Sequence, residues 1–283
     1  MPIGKSTGRR LPPLPPITHT EQKSEELPPF DIFKGPSKSI KTGAEKIDEI
    51  IDCLEEGMNI VFGEWDCGKT TLSLQILMNA MESGMKVRYI DTELGVHAKR
   101  LAQMYKAGNY SFTLDKMSGS FVRLTNWGWL TLKNRWLNIL EYDKPDILIV
   151  DSITPVFLDT FFKEPESEHF KTLQSRDTLA TSTLQSCAND HIIVIITGHE
   201  KAPMLPGSVS EMLQKEAIEF SGLGRRFAYL AKIWIYLFKE SMKDGLEKSN
   251  RHMTLLKHKY MPTFSETGKT VPIKITERGI VTQ

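Results

Sequence analysis

The sequence predicts an α/β protein in which buried parallel strands alternate with helices, and three stretches carry that expectation. Gly63-Glu64-Trp65-Asp66-Cys67-Gly68-Lys69-Thr70 fits the pattern G-x-x-x-x-G-K-[ST]; it lies between an apolar run at 59–62 and a segment at 71–78 with apolar residues at helical spacing. The stretches 145–152 and 191–197 each hold a continuous apolar run of strand length, as in strands buried on both faces of a parallel sheet.

Taken in order, the chain opens on a segment unlike the rest. Residues 1–39 hold Leu11-Pro12-Pro13-Leu14-Pro15-Pro16 and Pro28-Pro29 around a charged stretch with no repeating apolar face. That composition favours polyproline II and predicts a flexible arm ahead of one domain spanning 40–283. Its basic residues Lys5, Arg9 and Arg10 suit either a solvated tail or contact with DNA or a partner. The apolar cluster Phe30-Asp31-Ile32-Phe33 suits either docking on a neighbouring subunit or packing on its own domain.

The folded core begins near Ile40. Thr42 is an N-cap candidate, and Ile47, Ile50, Ile51 and Leu54 fall on one helical face. In the glycine loop each fixed position has a physical task. Gly63 and Gly68 let backbone N–H groups turn inward toward phosphate oxygens, Lys69 supplies a point charge, and the Thr70 hydroxyl is suited to Mg²⁺. The helix that follows aims the positive end of its dipole at the same anion.

Residues 86–93 read as a second strand that ends in acidic residues, 96–105 as a helix and 121–124 as a short strand. Trp127, Trp129 and Trp136 lie in the next helical run, as a core face or as a stacking platform for bases. The run 145–152 delivers Asp151 to the carboxyl edge of the sheet, where it can join the Mg²⁺ shell. A long helix is expected over about 166–189. The run 191–197 then leads to Gly198-His199-Glu200, at the sheet edge where a γ-phosphate can be sensed. Residues 201–224 read mostly as a loop, and 253–259 and 272–276 as closing strands.

Composition narrows the partners. With 40% hydrophobic and 25% charged residues in 283, the chain has a globular composition, and its net charge of +1 supplies no global field to gather nucleic acid. Any DNA contact therefore depends on local clusters, for which Lys201, Lys215, Arg225 and Arg226 are the candidates. The scattered cysteines Cys53, Cys67 and Cys187 have no metal-ligand spacing and suggest a reducing compartment. No apolar run has membrane-spanning length and no secretory leader is visible, so the expected location is the cytoplasm, away from membranes.

In this order the parts resemble the RecA superfamily, and within it the archaeal RadA-like branch. Five stretches carry the resemblance: Ile40-Lys41-Thr42-Gly43 through Ile47-Asp48, the loop from Gly63 to Thr71, Tyr89-Ile90-Asp91-Thr92-Glu93, Leu148-Ile149-Val150-Asp151-Ser152, and Lys274-Ile275-Thr276-Glu277-Arg278-Gly279-Ile280. It implies a RecA-like core, a twisted and mostly parallel β-sheet flanked by helices, assembled into a ring or filament. It also implies ATP with Mg²⁺ as cofactors. The nucleotide-binding residues would be Gly63, Glu64, Trp65, Asp66, Cys67, Gly68, Lys69, Thr70 and Thr71, and the metal residues Thr70 and Asp151.

By the same resemblance Lys69 is catalytic and Glu93 orients the attacking water; the alternative is that Glu93 only caps the next helix. Lys239 falls near a basic position that in relatives reaches a neighbour's nucleotide. Where relatives carry Thr-Asn-Gln, this chain has Thr197-Gly198-His199, so His199 is either a nucleotide switch or an ordinary surface histidine. The Gly-Gly pair before the nucleotide strand is missing, with Asp52-Cys53-Leu54-Glu55-Glu56-Gly57 in its place, and no helix-hairpin-helix module precedes the core. The function implied is an ATP-dependent, single-stranded-DNA-binding protein of homologous recombination or repair. The alternatives are a hexameric helicase-like motor and an accessory paralogue that works with a recombinase and uses ATP as an assembly switch.

Overall fold

Alternating side chains along the buried strands dictate a sheet covered on both faces, and the computed structural model has one. It describes residues 38–123, 129–153, 178, 182–183, 186, 190–199, 229–239 and 250–283, with side chains omitted for 129–133. The expected arm, most of the 166–189 helix, the 201–224 loop, Trp127 and the candidates Lys201, Lys215, Arg225 and Arg226 lie outside the described residues.

A two-stranded ribbon, β1 (Ser39–Ile40) with β2 (Leu54–Glu55), precedes the main sheet. The main sheet comprises β3 (Gly57–Gly63), β4 (Val87–Asp91), β5 (Phe121–Arg123), β6 (Ile147–Asp151), β7 (Ile193–His199), β8 (Ile233–Lys239), β9 (Arg251–Lys257), β10 (Val271–Thr276) and β11 (Gly279–Thr282). Their order is β11-β10-β9-β8-β3-β7-β6-β4-β5, parallel from β8 to β5 and antiparallel from β9 to β11. The expected mostly parallel RecA-like α/β sheet is therefore present.

The period of two explains why runs such as Ile147–Val150 are apolar throughout. Ile147 and Ile149 join one core cluster, shared with Leu72, Ile76 and Tyr89, whereas Leu148 and Val150 join the opposite one, shared with Phe62, Trp136 and Trp234. Burying each such side chain stabilises the fold by about 1.5–3 kcal/mol before entropy is counted. Trp136 is fully buried on α5 (Trp129–Asn138), so of the two readings of the tryptophans it takes the core one.

Helix α1 (Glu45–Ile51) ends where Asp52 turns to φ +58°. Leu54 consequently belongs to β2 rather than to the apolar face of α1, because helical spacing persists in the sequence past the point where the backbone leaves the helix. Thr42 is not the N-cap either; Ala44 is. Instead Asp48 accepts hydrogen bonds from the Thr42 N–H and hydroxyl at 2.7 Å each and from the Gly43 N–H at 3.0 Å. That carboxylate closes the turn into α1. The expected helix at 96–105 starts two residues later, as α3 (Ala98–Gly108), with the His97 ring accepting from the Lys99 N–H. Spacing gave no sign of the short α4 (Leu114–Ser118), of the π-helical turn Ile139–Asp143 or of the edge strand β11. No described helix is long and apolar enough to cross a membrane.

Candidate nucleotide-binding site

Parallel strands all deliver their carboxyl ends to one edge of the sheet, and the expected site residues sit there. Gly63 ends β3 and is paired in register with His199, the last residue of β7. Asp151 ends β6 opposite Asp91 on β4, and Glu93 follows two residues after Asp91. The turn carrying Glu93 is held by the Asp91 carboxylate, which accepts from the N–H groups of Gly95 and Val96.

The loop between β3 and α2 (Lys69–Glu82) is built as its sequence requires, with one addition. Gly68 is in the left-handed region (φ +107°) and caps α2 without a side-chain hydrogen bond, so the first N–H groups of α2 have no side-chain cap there. Gly63 is constrained from another direction. A Cβ there would lie 1.8 Å from the Leu237 carbonyl oxygen, so glycine is needed there for close approach to β8 as well.

The C-terminal hairpin secures the start of α2. Ile275 and Ile280 lie against Gly68, and the Gln75 side-chain oxygen accepts from the Ile280 N–H at 2.7 Å. A Cβ on Gly279 (φ +131°) would fall 2.3 Å from that same oxygen. The Gly-Ile pair near the C-terminus thus has a positional reason.

Lys69 is 6% exposed, and its ammonium donates to neutral acceptors of its own loop, the Gly63 carbonyl at 3.0 Å, the Glu64 carbonyl at 2.6 Å and, more weakly, the Cys67 sulfur at 3.9 Å. Among the described residues no carboxylate forms an ion pair with it. A buried ammonium with neutral acceptors, beside an uncapped helix N-terminus, fits a polyphosphate. Asp151 is buried and accepts from the Tyr89 hydroxyl at 2.6 Å and the Thr197 hydroxyl at 2.5 Å, with the Thr70 hydroxyl nearby also favouring its charged form. Burial pushes its carboxyl above the usual range despite those bonds. A group reluctant to ionise next to the Thr70 hydroxyl fits a divalent cation, which would relieve the charge. Among the described residues no cluster of three His, Cys, Asp or Glu side chains forms an all-protein metal site. The metal would therefore rest on Thr70, Asp151 and the phosphates themselves.

Glu93 has partners that the sequence did not reveal. Its Oε1 accepts from the Ser152 hydroxyl at 2.7 Å and meets His199 Nε2 at 2.5 Å. Burial raises the Glu93 carboxyl, but the bonds to His199 and Ser152 and the charges of His199 and Lys69 outweigh it and leave it below the usual range. It is held ionised, as an acceptor for a water proton must be. On its other side His199 is stacked by Trp65 of the glycine loop, ring centroids 4.7 Å apart and 23° between planes, although Trp65 is 72% exposed. Trp65, His199, Glu93 and Ser152 thus form one chain from the loop to the end of β6. Glu93 is not the N-cap of α3; His97 is.

Lys239 faces its own subunit's loop, 3.4 Å from Asp66, and is joined there by Arg251, 3.0 Å from the same carboxylate. No motif flagged Arg251. The contact joins residues 185 apart, and only the fold brings them together.

Comparison with known proteins bears on the whole arrangement. The Rad51 family matches residues 37–239. The fold is similar to that of the RadB recombinase, with a TM-score of 0.62 and 22% identity over 86% of this chain and 98% of that one. It is also similar to a KaiC-like protein from the hyperthermophilic archaeon Pyrococcus horikoshii OT3, with a TM-score of 0.59 and 19% identity over 87% of this chain and 99% of that one. No curated protein matches the chain.

Proposed function

The chain belongs to the Rad51 family, and on that premise we propose that it is a Mg²⁺-dependent ATPase of homologous recombination or repair that acts on single-stranded DNA in the cytoplasm. The observation that carries this reading is the gathering of Lys69, Thr70, Asp151 and Glu93 at one edge of the sheet, with Glu93 held as an ionised acceptor.

Bound Mg–ATP would supply the γ-phosphoryl group and the metal that polarises it. The chain's own residues divide the remaining work. Gly68 and the first N–H groups of α2 cradle phosphate oxygens. The Lys69 ammonium turns from the loop carbonyls to the anion. Thr70 and Asp151 would hold the metal. Glu93 orients the water and accepts its proton. His199 holds Glu93 from one side, so a γ-phosphate that attracts the imidazole would release the carboxylate for this task.

DNA contact falls to Lys201, Lys215, Arg225 and Arg226. Association into a ring or filament, alone or with a recombinase partner, belongs to the same reading. Steady-state ATP hydrolysis with and without single-stranded DNA tests it: the rate should need Mg²⁺ and rise with DNA. Hydrolysis indifferent to DNA would remove the DNA part. Tight ATP binding without turnover would favour an accessory role in which ATP switches assembly. Turnover coupled to movement along DNA would indicate a motor.

A further inference from the structure

Lys239 and Arg251 stand directly opposite each other on the antiparallel pair β8–β9. Residues so placed project from the same face with Cβ atoms about 5 Å apart, and like charges there repel. What offsets the repulsion is an acidic residue of the glycine loop. Arg251 Nη2 lies 3.0 Å from Asp66 Oδ2, Arg251 Nε donates to the Asp66 carbonyl at 3.0 Å, and Lys239 Nζ lies 3.4 Å from the same Oδ2. Among the described residues these are the ion pairs formed by either cation. Asp66 itself is at φ +55°, a left-handed conformation unusual outside glycine.

As a stabiliser of the fold the cluster is weak, because the Asp66 side chain is 76% exposed and such pairs contribute little. Its consequence falls on the loop's charge. The loop sequence sets two carboxylates, Glu64 and Asp66, against one cation, Lys69. A triphosphate approaching that loop meets like charge from its own binding element. Burial pushes the Glu64 carboxyl up, while the Lys239 N–H and the charges of Lys239 and Lys69 pull it down, so these same cations already act on the loop's other carboxylate.

We propose that Lys239 and Arg251 are positioning residues for the nucleotide of their own subunit: they turn the Asp66 carboxylate outward and cancel its charge, so that an acidic loop can admit a polyanion. The inference rests on the nucleotide-binding reading of the loop. It assigns Lys239 a role within its own subunit, separate from the contact to a neighbour's nucleotide that the family resemblance suggests.

The test is a calorimetric titration of the full chain with a slowly hydrolysed ATP analogue and Mg²⁺, at low and high salt. Arg251→Ala should weaken affinity roughly three- to tenfold at low salt, and the gap should narrow at high salt. Asp66→Asn serves as the reference background. The double variant Asp66→Asn/Arg251→Ala should bind within about twofold of Asp66→Asn alone, since the carboxylate that Arg251 neutralises is gone. Lys239→Ala should act in the same direction as Arg251→Ala and serves in its place if the latter does not fold. Unchanged affinity in the single basic variants would overturn the proposal. So would a double variant that falls as far below Asp66→Asn as Arg251→Ala falls below wild type, because Arg251 would then be a prop for the Asp66 carbonyl and nothing more. A wild-type chain that binds no nucleotide would instead remove the underlying reading, and the two failures are told apart by that control.

Discussion

Replacing Asp151 with asparagine should separate the ion-binding role of this residue from its structural one. In the free protein the carboxylate is buried, and the hydroxyls of Tyr89 and Thr197, which donate to it, partly offset the burial. Each bond to a charged acceptor contributes about 1.5–3 kcal/mol, whereas burying the ion costs several kcal/mol. Burial wins, since the carboxyl is held above its usual range. The sign follows. A carboxyl raised on folding costs stability once pH exceeds its unfolded value, near 3.9, and the cost grows until the folded group ionises. The Asp151→Asn variant would be free of that cost, and the Tyr89 and Thr197 hydroxyls can rotate to accept from the new amide.

The expected gain is on the order of 1 kcal/mol, a rise of about 2–4 °C in Tm for a chain of this size, without nucleotide. With nucleotide the order should reverse. Wild type should gain stability from Mg–ATP at neutral pH, and Asp151→Asn should lose most of the part that depends on Mg²⁺. Thermal melts with ATP, with and without Mg²⁺, read both effects. A drop of several degrees in the free variant would mean that the hydroxyl bonds outweigh burial, and Asp151 would then not be a strained carboxylate waiting for a metal.

Other expectations follow from single contacts. Glu93→Gln should keep ATP affinity within a few fold while turnover falls by two or more orders of magnitude, because the proton acceptor is lost and the phosphate cradle is not; undiminished hydrolysis in a rapid-quench assay would make Glu93 structural. Gly63→Ala should destabilise the fold by roughly 3 kcal/mol or more, since the new methyl would collide with the Leu237 carbonyl, and a chemical-denaturation midpoint equal to wild type would contradict that contact. Arg225→Ala/Arg226→Ala should weaken single-stranded DNA binding and reduce the log–log salt slope by about 0.7 per lost phosphate contact, with ATP affinity unchanged. Loss of ATPase activity and assembly first would place those arginines at a subunit boundary instead.

Much of this was legible in the sequence because it rests on local pattern. The glycine loop needs fixed residue types at fixed spacing, and strands buried on both faces are apolar at every position, so β3, β6 and β7 could be read directly. Asp151 followed from its place at the end of such a run. Boundaries were less legible. Leu54 continues the spacing of Ile47 and Ile51, and nothing local shows that Asp52 breaks the helix by turning left-handed. The contacts that define the candidate site were hidden for a different reason. Ser152 and His199 reach Glu93 from 59 and 106 residues away, and Arg251 reaches Asp66 across 185. Such meetings depend on strand order, which no short window of sequence contains.

The central claim is that the loop Gly63 to Thr70 binds a nucleoside triphosphate through the buried Lys69 ammonium. Calorimetric titration of wild type and Lys69→Ala with an ATP analogue and Mg²⁺ tests it most directly. The account predicts saturable binding by wild type and a loss of roughly a hundredfold or more in the variant, because a charge-assisted contact in a buried cradle has no substitute. Equal affinity in the two proteins, or no binding by either, would contradict it.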